Sequence, residues 1–419
     1  MSGSDLERDC GKIMVSVLCT TYNHEKFVRD AIEGVLNQKT DFKIELIIHD
    51  DASTDNTQKI IKEYADKYPD IIRPILQKEN QFRRVNIYTE YIYPCVQGKY
   101  IAMCEGDDYW IDNDKLQKQI DFLEAHVDYS MSMHNAVKLN YETGEKKLLD
   151  TFPEDGTYSQ EEQLLAGLGT DYPAFASYVL RTEILRKMPE FFLRAPVGDY
   201  PYRQYFANEG KVYYFKKPMS VYRVGTPDSY MKNTANSLAK YNAYTLGMIR
   251  FFEQFDDYTG KKFHSIIDCK VTSDYLGFCL SADEKEGLEK GKEQGLNIDK
   301  LKECYNILSP VWIDESIIKL KEKTEHLFIY GTSRIAPICR KQLENSGIDF
   351  ESFVVSDSQM KQDSLDGKPV IYLSEAMRDY SRPGFILAVQ PINVEAIEKV
   401  LKQYGAKDYC APYKLGECV

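Results

Sequence analysis

Three short apolar runs each end in a cluster of hydroxyl and carboxylate side chains. IMVSVLC runs into Thr20-Thr21-Tyr22-Asn23, KIELIIH into Asp50-Asp51-Ala52-Ser53-Thr54-Asp55, and KYIAMC into Glu105-Gly106-Asp107-Asp108-Tyr109-Trp110. Carboxylates gathered in one crevice repel each other unless a cation or well-placed donors offset the charge. A hard divalent ion, Mn2+ or Mg2+, is the natural partner, because one or two carboxylates hold it and positions stay open for diphosphate oxygens. That chemistry suits an activated, phosphate-bearing substrate. A plainer reading competes at each position: Asp, Ser and Thr also cap the helices that follow strands, and for Asp55 or Asp112 alone capping is the stronger reading. Arg83 and Arg84 carry the charge to neutralise a diphosphate, although paired arginines in a polar loop are more often solvated surface.

The elements that must bring these clusters together show in the periodicity. IMVSVLC, KIELIIH, IIRPIL and KYIAMC read as four strands alternating with helix-period segments. In HEKFVRDAIEGVLNQ the apolar set Val28, Ala31, Ile32, Val35 and Leu36 makes one buried helical stripe. Such alternation builds a parallel sheet from βαβ units, and ligands sit beyond the carboxyl ends of its strands. The three clusters are therefore expected to share one crevice. After Trp110 the rhythm loosens. LQKQIDFLEAH reads as helix, DYSMSMHNAVKL as a long strand, and YETGE as a hairpin turn. Ser159 and Glu162 form a capping box opening a helix through Leu168, and KVYYF and SVYRV are two strand-like runs. The stretch 226–323 is helical and charge-rich with no convincing strand pair, and from His326 a βα rhythm returns with LFIY, FVVSD, PVIYL and FILAV.

VSVLCTTYN, IIHDDASTDNT and AMCEGDDYW, in this order and spacing, resemble family 2 glycosyltransferases, inverting enzymes of the GT-A fold that use nucleotide-sugar donors. The resemblance covers residues 13–225, about half the chain, and is specific for the family without specifying a sugar. It implies a GT-A domain with a mixed, mainly parallel sheet flanked by helices; the rest of the α/β chain reads as a helical connector and a small unit that resembles degenerate Rossmann-like α/β domains. The corresponding boundaries are a polar leader 1–12, then 13–230, 231–322 and 323–419. It further implies that Thr20 and Tyr22 line the base pocket, that Asp51 accepts from a pyrimidine ring nitrogen, that Asp107 holds the ribose and that Asp108 ligates the metal. A carboxylate suits both kinds of donor, N–H and ribose hydroxyl. Asp199, in Pro196-Val197-Gly198-Asp199-Tyr200, matches the family's general base, with an N-cap of helix 200–208 as the alternative. Many relatives follow the VYR strand end with a His that reaches the metal or diphosphate. Here Gly225-Thr226-Pro227 stands there, which leaves His134 as a substitute ligand or as an ordinary buried His.

Composition narrows the partners. A chain of 419 residues has room for two or three domains, and 43% apolar with 28% charged residues is a globular balance. With 65 acidic against 53 basic side chains the net charge is −12, so a nucleic-acid partner is disfavoured. No run reaches the roughly 18 apolar residues of a membrane span, so membrane contact is expected to be peripheral at most. MSGSDLERDC lacks a signal-peptide core, and ten cysteines without C-x-x-C suit a reducing cytoplasm, including the inner face of the membrane. The C-terminal loop Gly331-Thr332-Ser333-Arg334-Ile335-Ala336 keeps one glycine of a dinucleotide fingerprint, with Asp357 as the remaining trace of a ribose-binding acid. That unit reads as a docking, regulatory or homo-oligomerisation module.

The expectation is thus a metal-dependent inverting glycosyltransferase, carrying a sugar from a UDP- or dTDP-sugar to a hydroxyl of a saccharide or lipid-linked saccharide acceptor. Capsule, wall or lipopolysaccharide-type glycans are the family's usual products. Two rivals are a sugar nucleotidyltransferase, although TTYNHEKF lacks the Gly-rich basic loop it needs, and a non-catalytic carbohydrate-binding or scaffold protein on the same fold.

Overall fold

The four predicted strands form in a computed structural model that describes residues 12–82, 84–166, 172–227, 238–279, 284–307, 314–332, 335–357, 363–389 and 394–412. They are β1 (Ile13–Thr21), β2 (Lys43–Asp50), β3 (Ile72–Leu76) and β4 (Tyr100–Met103), parallel in the order β3-β2-β1-β4. Helices α1 (Val28–Leu36) and α2 (Thr57–Lys67) make the first crossovers. The predicted stripe Val28, Ala31, Ile32 and Val35 is buried in one core with Val15, Val17, Cys19, Leu46 and Ile48, and Leu36 packs at its rim. Each large aliphatic side chain so buried contributes roughly 1.5–3 kcal/mol. The segment ahead of β4 is not one α-helix but a π turn over Tyr88–Ile92 and a 3-10 turn over Tyr93–Cys95. Pro94 accounts for the break, since its ring excludes it from a helix interior.

The same sheet continues through β5 (Tyr109–Trp110), β6 (Tyr129–Asn140), β7 (Lys146–Leu148), β8 (Gly156–Tyr158), β9 (Val179–Arg181) and β10 (Lys211–Val224). Its path runs β4-β9-β6-β10-β5, with β9 antiparallel to both neighbours, β10 parallel to β6 and β5 antiparallel to β10. KVYYF and SVYRV, expected as two strands, are one 14-residue strand whose register slips around Pro218, a residue with no amide to give the ladder. Helix α3 (Lys115–Ala125) packs on β6. The predicted capping box opens α4 (Gln160–Leu165), but the helix stops short of the expected Leu168, because Ala166 turns to extended backbone with ψ 122°. Two short helices, α5 (Thr182–Leu185) and α6 (Glu190–Leu193), lead to α7 (Asp199–Glu209).

Tertiary packing divides the chain into two units, Met1–Tyr244 and Thr245–Val419. Helices Leu238–Tyr258, His264–Cys279, Glu284–Glu293, Ile298–Ile307 and Glu315–Lys323 occupy the region read as helical connector. Beyond them, β11 (His326–Tyr330), β12 (Ser352–Val355), β13 (Ser364–Leu365), β14 (Lys368–Tyr372), β15 (Pro383–Leu387) and β16 (Asp408–Cys410) form a second sheet. Its order is β13-β14-β12-β11-β15-β16, parallel apart from the β13–β14 pair. Gly331 has φ +112°, and a Cβ there would lie 2.8 Å from the Ala388 carbonyl, so this glycine is needed by the turn itself. Asp357 accepts from the Ser374 amide (3.1 Å) and hydroxyl, which ties it to the first turn of helix Leu373–Asp379. Among the described residues no helix is long and apolar enough to cross a membrane.

Candidate active site

Because β2, β1 and β4 are neighbours and parallel, their carboxyl ends bring the three clusters to one edge of the sheet. The Asp51 amide donates to the Thr21 carbonyl (3.0 Å) and the Gly106 amide to the Thr20 carbonyl (3.0 Å), so the loops after β2 and β4 both rest on the end of β1. Gly106 permits that approach: a Cβ there would lie 2.4 Å from Thr21 Cγ2 and 2.9 Å from His24 Nδ1.

The two adjacent aspartates at the end of β2 have separate duties. Asp50 is fully buried and accepts from Thr21 Oγ1 (2.9 Å), the Ser53 amide (3.0 Å) and Gln58 Nε2 (2.7 Å), a structural hub. Asp51 takes the amides of Gln81 on Oδ1 (2.7 Å) and Phe82 on Oδ2 (3.0 Å), so it anchors the following loop at the crevice. Tyr22 stands exposed, while burial first pushes the Tyr88 phenol up, with Glu105 adding to the effect. Arg84 pairs with Glu79 in solvent at 3.1 Å, the solvated reading; Arg83 lies outside the described residues.

The loop after β4 carries the strongest electrostatic signal. Asp108 is buried, its Oδ1 accepts the Arg223 backbone amide (2.9 Å), and its Oδ2 is buried with no hydrogen-bond partner. Burial, then Asp107 and Glu105, hold the Asp108 carboxyl well above the usual range, with Arg223 opposing. Asp107 gives its carbonyl to Arg223 Nη1 (2.7 Å), while Thr226 Oγ1 lies 3.5 Å from its Oδ2. Glu105 was visible in the strand-end cluster without a role of its own. Burial pushes its carboxyl up to about 8, with Asp107 and then Asp199 adding to the effect.

Asp199 reaches this group by a local route. The Met103 amide at the end of β4 donates to the Tyr178 carbonyl (3.1 Å), and the Tyr178 hydroxyl donates to the Asp199 carbonyl (3.4 Å). Asp199 is the first residue of α7, and its Oδ1 takes the Tyr200 amide (2.7 Å). No side chain caps α7, so the expected N-cap bond to an amide two or three residues on is not made. The Tyr172 hydroxyl hydrogen-bonds the Asp199 carboxylate. Tyr222 on β10 senses Asp108, Asp199, Glu105 and Asp107 together; burial first, and then those carboxylates, raise its phenol. The arrangement is a carboxylate-lined crevice with aromatic walls, suited to a cation, a diphosphate and hydroxyl-rich rings.

His134 is not part of it. Fully buried, it pairs Nδ1 with the Asn135 carbonyl (2.7 Å) and leaves Nε2 unpartnered. Its charged neighbours are Lys115 and Asp112, on and beside α3, and burial first keeps it neutral. The sequence pattern could not reveal this, because the choice between the two faces of β6 depends on where α3 packs. Among the described residues no three or more His, Cys, Asp and Glu side chains are grouped to enclose a metal. The orphan Asp108 Oδ2 amid repelling carboxylates nevertheless fits a cation that takes one or two protein oxygens and completes its shell with substrate and water.

Residues 16–188 match the family described as Glycosyl transferase family 2. Over 134 residues the chain is 41% identical to an uncharacterized protein of Mycobacterium tuberculosis, a stretch that is 32% of this chain and 37% of that one. It is 34% identical over 112 residues to UDP-Glc:alpha-D-GlcNAc-diphosphoundecaprenol beta-1,3-glucosyltransferase WfaP of Escherichia coli, 27% of this chain and 42% of WfaP. The match therefore spans about two fifths of the length of these relatives. Among solved structures, S. aureus TarS 1-349 in complex with UDP aligns over 85% of this chain and 98% of its own, with 14% identity and a TM-score of 0.45.

Proposed function

We propose that this chain, a family 2 glycosyltransferase of the GT-A fold, transfers a sugar with inversion from a UDP- or dTDP-sugar to a hydroxyl of a saccharide or lipid-linked saccharide in bacterial surface glycan synthesis. The observation that carries the reading is the buried, unpartnered Asp108 Oδ2 set among Glu105, Asp107 and Asp199 at the carboxyl end of a parallel sheet. WfaP, by its name, uses UDP-Glc on a diphosphoundecaprenol-linked GlcNAc, which supports donor and acceptor classes of this kind.

Asp108, beside Asp107, would hold Mn2+ or Mg2+, which when bound neutralises the departing diphosphate. Thr20 and Tyr22 flank the base. A carboxylate has about four acceptor sites, and the amides of Gln81 and Phe82 use two of those on Asp51, so Asp51 retains capacity to read a ring N–H of uracil or thymine. Asp107 receives a ribose hydroxyl. Asp199 takes the proton of the acceptor hydroxyl as that oxygen attacks the anomeric carbon opposite the leaving group, its carboxylate steadied by the Tyr172 hydroxyl. A cytoplasmic setting at the inner face of the membrane suits eight described cysteines that are present as thiols, six of them buried. The C-terminal unit would serve docking, self-association or regulation.

The test is nucleotide release from a panel of UDP-, dTDP-, GDP- and CDP-sugars with Mn2+, with and without saccharide acceptors. Release from UDP- or dTDP-sugars alone is the expected result. Release from GDP-sugars would replace the donor assignment, and no release from any donor would return the chain to a non-catalytic carbohydrate-binding role.

A further inference from the structure

Arg223 is held more completely than any role in solvent would require. Its guanidinium gives Nη1 to the Asp107 carbonyl (2.7 Å) and Nη2 to the carboxylate of Asp30 on α1, 193 residues away in the chain. The guanidinium carbon lies 5.1 Å from the centre of the Phe27 ring and 4.4 Å from that of Tyr109, so the cation sits between two aromatic faces. The side chain is 9% exposed, whereas that of Asp30 is 51% exposed. Meanwhile the Arg223 backbone amide holds Asp108 Oδ1. The loop between β4 and β5 is thus gripped from β10 at two successive acids, each time by an atom that leaves further carboxylate oxygen uncommitted: both oxygens of Asp107, apart from the long approach of Thr226, and Oδ2 of Asp108.

We propose that Arg223 is a positioning residue for the acidic loop, an internal cation pinned by Asp30 that sets Asp107 and Asp108 in the orientation that binds the divalent ion and ribose. The inference rests on the reading of Asp108 as metal ligand given above. Three observations point to positioning and not to direct contact with the diphosphate. The guanidinium is nearly buried, two of its donors face protein oxygens, and its carbon lies over the Tyr109 ring. Arg223 supplies a fixed positive charge directed at the loop's backbone. Lysine cannot substitute, because a point charge offers neither the fork that reaches Asp107 and Asp30 together nor a plane to stack.

The experiment measures Mn2+ affinity by electron paramagnetic resonance of the free ion, in the presence of UDP, for wild type, Arg223→Lys, Arg223→Met and Asp30→Asn, with UDP affinity in the absence of metal measured alongside. Partners one step behind a metal ligand typically matter by ~10–100-fold in metal affinity. The expected result is a loss of ~10-fold or more in Mn2+ affinity for both Arg223 variants and a smaller loss for Asp30→Asn, with a weaker fall in metal-free UDP affinity through Asp107. The Asp30 variant alters a half-exposed side chain and leaves β10 intact, so it reports even if an Arg223 variant misfolds. Wild-type Mn2+ affinity in all three folded variants would overturn the proposal. A wild-type protein that binds no Mn2+ would instead overturn the metal-ligand reading on which it rests.

Discussion

The ammonium of Lys115, at the start of α3, lies 4.1 Å from the centre of the Trp110 ring, fully buried and without a hydrogen-bond partner. Trp110 follows the acidic loop directly, so this cation underlies the strand that the loop runs into. Burial pushes the Lys115 amine down to about 7, with Cys104 and Asp112 opposing.

A pH dependence follows from that position. Between pH 7 and 10.5 the unfolded chain carries a proton on Lys115 that the folded chain lacks, so this residue makes stability rise with pH across the window, by up to about 1.4 kcal/mol per pH unit. Below pH 7 both states are protonated and the contribution is flat, at its most destabilising. Lys115→Met should therefore stabilise the fold most at pH 6, with the gain shrinking towards pH 10. Urea unfolding of both proteins across that range checks it, and a pH-independent difference would show that Lys115 is charged throughout.

Gly106 is a second point of sensitivity. An added Cβ meets Thr21 Cγ2 at 2.4 Å, His24 Nδ1 at 2.9 Å and the Thr20 carbonyl at 3.1 Å, a wall of buried side chain and backbone. Gly106→Ala should cost ~1–3 kcal/mol in urea unfolding. It should also weaken nucleotide binding, because relief requires lifting the acidic loop from β1.

Asp199→Asn isolates the chemical step. The substitution keeps the shape at the start of α7 and the bond to the Tyr200 amide, so folding and donor affinity should persist. Removing a positioned general base typically lowers the rate by ~10²–10⁴-fold. A large fall in kcat at unchanged donor Kd is the expected signature; transfer within a few-fold of wild type would send the search for the base elsewhere.

Local signals carried much of this structure, and contacts across the chain carried the rest. β1 to β4 and the α1 stripe were legible because each depends on periodicity within about ten residues, and the three acidic clusters were legible because parallel topology places strand ends together. Arg223 was not: its partners Asp30 and Asp107 lie 193 and 116 residues away. Neither the single strand through Pro218 nor the face taken by His134 could be read locally, since register with β6 and the seat of α3 decide them. Glu105 stood in the quoted cluster beside Asp107, but the burial that chiefly raises its carboxyl, and the smaller effect of Asp199, come only with the fold.

The account turns on Asp108 as the residue through which a cation and a nucleotide bind together. Titration calorimetry of UDP and dTDP into wild type and Asp108→Asn, with and without Mn2+, tests it most directly. The prediction is a large Mn2+-dependent gain in affinity for wild type that is absent in the variant, with metal-free binding similar in both. An Asp108→Asn protein that keeps the full Mn2+-dependent gain would contradict it.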